Sequence, residues 1–146
     1  MWIELSNEVE ISKFMEDMDY FHDSCLKELM YISGAYVDKD LSMYPINEKK
    51  ILRVVIQRQN ENNPMVELEF IGMKCLKVFP IDDNYTCEIF DSTMFIKNNN
   101  IYWVDCGSVS EKDLENYDGT IICASRVRWR SISGCMGEEP FYTSLV

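Results

Sequence analysis

The sequence predicts an α+β fold that is mainly β: a twisted antiparallel sheet, a meander, with an N-terminal helix and one short later helix. Three observations carry this expectation. Apolar residues recur at helical spacing near the front of the chain, at Ile11, Phe14, Met15 and Met18. From Cys25 onward the pattern changes to alternation with period two, the spacing of a strand with one buried face. Clusters of Asn, Asp, Gly and Pro separate the alternating runs and read as turns.

The helix begins at Asn7, an N-cap residue with Glu10 three positions on, and Glu8 adds negative charge to the first turn. Residues 25–37 read as one long bent strand, with Gly34 as a bulge or kink. A loop with Pro45 and Asn47 leads to a strand over 51–58, where Leu52, Val54 and Ile56 face one way and Arg53 and Gln57 the other. After a polar turn at 60–64, Val66, Leu68 and Phe70 alternate with Glu67 and Glu69. Gly72-Met73 fits a type II′ turn, so 74–79 is expected to return with Leu76 and Val78 on its inner face. This unit should have one buried and one wet face.

Residues 80–84 close that unit, and 85–96 form a second strand-rich stretch. Lys97-Asn98-Asn99-Asn100 suits a turn with positive φ before a strand over 101–105. Ser110 and Asp113 have capping-box spacing for a short helical turn. Residues 120–131 form the last long strand, and the tail after Ser133 should be irregular. No repeat or linker interrupts the 146 residues, which read as one domain, 1–146.

Composition narrows the function. Apolar residues make up 47% and charged residues 27%, as in a globular protein rather than a disordered one. No apolar run approaches the roughly 18 residues of a membrane span, and the first residues lack the form of a signal peptide. A cytoplasmic location is therefore the default. The six cysteines are expected to be reduced and mainly buried. With one histidine and no Cys-x-x-Cys spacing, no metal or cofactor site is assigned.

Net charge is −11, and residues 1–48 hold eleven acids against three bases. That field repels nucleic acids and anionic membranes and attracts basic proteins. The bland alternative is that acidity keeps the protein soluble. Glu16, Asp17 and Asp19 gather at the helix C-terminus, where the dipole mildly disfavours anions. They form a candidate partner-binding group with His22 and Asp23.

His22-Asp23 could serve as a base, ligand or pH switch, but no nucleophile motif accompanies the pair and no catalytic residue is assigned. Adjacent residues in an extended segment point to opposite faces, so the expected role is to bond nearby backbone at the strand entry. Arg126, Arg128 and Arg130 share one face of the last strand and could bind an anion. More commonly such a stripe pairs across the sheet, and Glu67 and Glu69 are suitable acids. Asp38, Asp40, Asp82, Asp83, Asp91 and Asp105 are expected in turns and at strand ends.

The segment Phe21-His22-Asp23-Ser24, followed by 51–57 and then Val66-Glu67-Leu68-Glu69-Phe70-Ile71-Gly72, resembles small bacterial proteins grouped with an immunity-protein family of polymorphic toxin systems. The resemblance covers residues 21–79 and implies a β-rich fold that binds and neutralises a toxin. The first functional expectation is therefore an acidic protein-binding module, with such an immunity protein as its specific form. The second is a small-molecule binder or unfamiliar enzyme using a concave sheet face, with His22 or the arginines. The third is a subunit that oligomerises through a sheet edge.

Overall fold

A computed structural model describes residues 1–79, 84 and 86–143. The chain is an α+β protein, mainly antiparallel sheet. In order, the elements are β1 (Ile3–Glu4), α1 (Glu8–Asp17), β2 (Ser24–Ile32), β3 (Tyr36–Val37), β4 (Met43–Tyr44), β5 (Ile51–Arg58), β6 (Met65–Lys77), β7 (Glu88–Ile89), β8 (Thr93–Lys97), β9 (Asn100–Val104) and β10 (Ile121–Ser131). Short 3₁₀ turns occupy Asp19–Phe21 and Glu111–Asn116. Among the described residues no helix is long and apolar enough to cross a membrane.

The main sheet has the order β7-β2-β5-β6-β10-β9-β8, curls, and stays open. β10 holds it together: one edge pairs with β6 along its length, while the other pairs with β9 and then with β1. The inner face carries the main core, with Leu52, Val54, Ile56, Val66, Leu68, Phe70, Trp103 and Ile122 among its buried residues. Helix α1 lays Ile11, Phe14 and Met15 on that core. Its Asn7 side chain accepts from the Glu10 amide at 2.9 Å, the cap the sequence predicts.

Two expected strands are drawn differently. β2 ends at Ile32, and Tyr36–Val37 instead pairs with Met43–Tyr44 in a separate two-stranded sheet. Gly34, at φ +97°, marks the departure, because a Cβ there would lie 2.8 Å from the Lys49 amide. At 72–73 the chain does not turn: β6 runs on to Lys77 along β10, with a register irregularity opposite Cys123 and Ala124. Gly72 has φ +71°, and an added Cβ would sit 2.9 Å from Ser125 Oγ. A bulge and a hairpin turn both call for glycine at positive φ, and only the partner strand distinguishes them. Leu76 and Val78 are consequently exposed rather than inward.

Other turns follow expectation. Asn98 and Asn99 take φ +51° and +63° in the β8–β9 hairpin, and Ser110 with Asp113 closes a capping box. Asp82 and Asp83, with the expected closure at 80–83 and the strand start at 85, lie outside the described residues.

The link from α1 to β2 is held by packing against local preference. Asp19, Tyr20 and Phe21 have φ of +50°, +52° and +57°, a left-handed turn that costs about 1–2 kcal/mol per residue. Phe21 is fully buried beside Phe14, and Ser92 donates to the Tyr20 carbonyl at 2.8 Å. Arg58, itself buried, donates to the Met18 carbonyl at 3.0 Å and to the Asn62 and Asn63 carbonyls. It supplies at the α1 C-terminus the cation that the helix sequence lacks. Burial lowers the pKa of its guanidinium, partly countered by the charge of Asp19.

Replacing Arg58 with Met should therefore leave three carbonyls without their charged donor and lower stability by about 3 kcal/mol. Urea unfolding measures this; a loss under about 1 kcal/mol would mean that these bonds are readily replaced by water.

Candidate functional site

The acidic group at the end of α1 is brought together only in part. Glu16 is exposed, while Asp17 accepts from Lys13 at 2.8 Å. Asp19 opens the left-handed turn. His22 and Asp23 do meet, with Nδ1 3.1 Å from Oδ2 and both side chains about half exposed. The extended backbone expected here is absent, since Asp23 has φ +55°, and this turn brings the two neighbours to one side. Their side chains thus contact each other, where bonds to nearby backbone were expected. Among the described residues no three His, Cys, Asp or Glu converge on a possible metal position.

The arginine stripe lies on the outer face of the sheet, where each guanidinium engages a carboxylate of the same chain. Arg126 reaches Glu4 at 2.6 Å, Arg128 reaches Glu69 at 2.6 Å, and Arg130 reaches Glu67 at 2.6 Å. Arg53 closes on Glu69 from β5 at 2.7 Å. The Trp2 ring lies 4.8 Å from the Arg128 guanidinium and 4.5 Å from that of Arg130. Beneath this layer Glu67 and Glu69 are 0% and 1% exposed, so the face expected to be wet is closed. The tail takes part: the Phe141 amide donates to Glu28 at 2.8 Å, and the Tyr142 hydroxyl donates to Glu67.

The Tyr142 phenol is held protonated by burial and by Glu67, and its pKa is raised. Tyr117 is raised by burial and by Asp105. The Asp105 carboxylate also receives the Thr120 amide at 3.1 Å, which joins β9 to β10. Asp38 and Asp91 accept backbone amides in turns, as expected of these residues. Of the six free cysteines, five are exposed and only Cys123 is buried, contrary to the expectation of burial. Burial also raises the Cys123 thiol pKa and so disfavours the thiolate.

A feature missed in the sequence is the small β3–β4 hairpin. Its strands pair Tyr36 with Tyr44 and Val37 with Met43. The two tyrosine rings stack at 4.9 Å, and alternation places the Val37–Met43 pair on the opposite face. Asp38 Oδ1 accepts from the amides of Asp40 and Ser42, and Leu41 stands at the tip with φ +65°. At the base, the Ser33 carbonyl accepts from the amides of Lys49 and Lys50. Tyr36, Val37, Met43 and Tyr44 are all exposed, as are Tyr31 and Ile46, and Leu41 is 83% exposed. Two strands alone are marginal in water, and clustered apolar surface of this kind marks interaction sites. The signal available in the sequence was the apolar content of Leu41-Ser42-Met43-Tyr44-Pro45-Ile46, a segment too short to form core.

No family model matches the chain, and no curated protein or solved structure matches it.

Two measurements follow from the outer face. Glu69→Gln keeps the side-chain shape but leaves Arg53 and Arg128 facing each other, and should cost about 3 kcal/mol, the lower end for a broken buried pair because both arginines reach solvent. Urea unfolding at two salt concentrations checks it, and a neutral result would assign the stability to packing alone. The tyrosines set an alkaline limit. Raised folded pKa values leave their contribution whole below about pH 10, the unfolded value, and remove it as pH rises further. Tyr142→Phe should flatten the decline in stability above pH 10; an unchanged slope would assign the decline to other groups.

Proposed function

We propose that this chain is a protein-binding module whose contact surface is the 36–44 hairpin. The observation that carries the reading is the hairpin itself: an arm outside the main sheet, fixed by its own hydrogen bonds, with apolar side chains on both faces and no core behind it. The arm belongs to residues 1–48, which hold eleven acids against three bases. A fitting partner presents an apolar groove with a basic rim. Opposite charge then speeds encounter, and burial of the tyrosines, Leu41 and Met43 supplies most of the affinity.

Neutralisation of a basic toxin domain is the form of this function that the resemblance of residues 21–79 favours. Glu16, Asp17, Asp19, His22 and Asp23 then serve as a charged flank that steers the partner. The reading in which Arg126, Arg128 and Arg130 bind an anion loses support, because each already holds a carboxylate of the chain.

A photo-crosslinking side chain at Leu41, expressed in the native host, should capture one predominant basic protein. Leu41→Glu with Met43→Glu should weaken that complex at least about 100-fold, as expected for loss of central anchors, while stability changes by no more than about 0.5 kcal/mol. Neutralising Glu16, Asp17 and Asp19 should chiefly slow association and reduce its salt dependence. Equal crosslinking from a position on the exposed face of α1 would overturn the assignment to the hairpin.

A further inference from the structure

Two of the free cysteines meet across the sheet. Cys75 of β6 stands directly opposite Cys123 of β10 in the antiparallel register, and Tyr102 of β9 flanks Cys123 on its other side. In an antiparallel pair, residues directly opposite share a face, with both Cα and Cβ atoms about 4.5–5.5 Å apart. A disulfide has Cα atoms roughly 4.4–6.8 Å apart and Cβ atoms about 3.5–4.5 Å apart, so a closing shift of about 1 Å or less brings such a pair within bonding range.

The strand irregularity beside them matters as well. Cys123 pairs with Cys75 but Ala124 pairs with Met73, so Lys74 is the residue left over between the two pairs. Such a bulge re-aims side chains, and Lys74, Cys75 and Cys123 all line one open cavity of about 740 Å³. Lys97 and Lys112 add positive charge to its wall, against Glu111 and Glu115, in a chain whose net charge is −11. Cys75 is exposed, whereas Cys123 is 3% exposed. Burial disfavours the Cys123 thiolate, and the Tyr102 hydrogen bond and the Lys74 charge oppose that effect. The accessible thiol therefore meets a reagent first, and the buried one has only to reach the sulfur opposite it.

We propose that Cys75 and Cys123 are a thiol–disulfide exchange pair, oxidised to a cross-strand disulfide by an acidic low-molecular-weight disulfide such as oxidised glutathione. In the first step Cys75 Sγ, as thiolate, bonds to one glutathione sulfur, the glutathione S–S bond breaks, and one glutathione thiolate leaves. In the second, Cys123 loses its proton to solvent and its Sγ bonds to Cys75 Sγ, which expels the second glutathione. Two electrons pass from the two protein thiols to the oxidant, and the two released thiolates take up two protons. The lysines of the cavity wall favour approach of the carboxylate-bearing reagent. No hairpin residue is involved, so the pair stands independently of the protein-binding reading.

Incubation of the full chain with oxidised and reduced glutathione at graded ratios, followed by acid quenching and peptide mapping without reduction, tests the proposal. The Cys75–Cys123 linked peptide should be the predominant internal disulfide, and glutathione on Cys75 should precede it in time. Cys123→Ser should lose the linked peptide and leave glutathione on Cys75 as the end product. Cys75→Ser should leave Cys123 unmodified, and this change at an exposed position serves as the test if Cys123→Ser fails to fold. The proposal is overturned if Cys75 ends as the glutathione adduct while Cys123 stays a thiol in the unsubstituted chain. It is equally overturned if Cys123 takes up glutathione in Cys75→Ser, or if internal disulfides scatter over the exposed cysteines.

Discussion

The central constraint in this molecule is a pair of carboxylates on the outer face of its central strand. Glu67 and Glu69 are fully desolvated on β6, and a charge removed from water is tolerable only when neighbours replace the hydration. The replacement comes from three strands at once, with Arg53 on β5 and Arg128 and Arg130 on β10. This arrangement pins register on both sides of β6. A slip of one residue would turn both glutamates into the hydrocarbon core and the apolar set outward, so the wrong pairing is penalised on both faces.

The closed outer face explains much of what surrounds it. Trp2 lies over Arg128 and Arg130, and the tail reaches Glu28 and Glu67, so both ends of the chain cover one charged layer. On the inner face, Arg58 does the comparable task for α1. It joins the last helical carbonyl to the β5–β6 loop and holds the left-handed turn that follows. The acids at the helix end thereby acquire a structural counter-charge. Their position is less anomalous than the helix sequence alone implies.

With the sheet closed by ion pairs outside and hydrocarbon inside, incomplete burial is informative. It occurs at the 36–44 hairpin, where apolar side chains are exposed, and at two buried donors, Trp103 Nε1 and Arg58 Nε, which have no acceptor among the described residues. The hairpin stands outside the main sheet with exposed apolar side chains, the kind of surface a macromolecular groove would cover.

Period-two alternation, turn residues and capping pairs by themselves determined the α+β class, the helix from Asn7, the strand over 51–58, the asparagine turn before Asn100 and the capped 3₁₀ turn after Ser110. Each depends on interactions within a few residues. The arginine stripe was equally legible, with Glu69 and Glu67 as the acids for Arg128 and Arg130, because side-chain parity along a strand is local; Arg126 instead takes Glu4 from β1. Tertiary structure decided what depends on a partner strand: that Gly72 bulges instead of turning, that Gly34 sends Tyr36 out into a separate hairpin, and that Glu67 and Glu69 are buried. It also decided that the Trp103 indole is buried without an acceptor for its N–H. Burial and pairing are set by segments distant in sequence, whose approach no local pattern encodes.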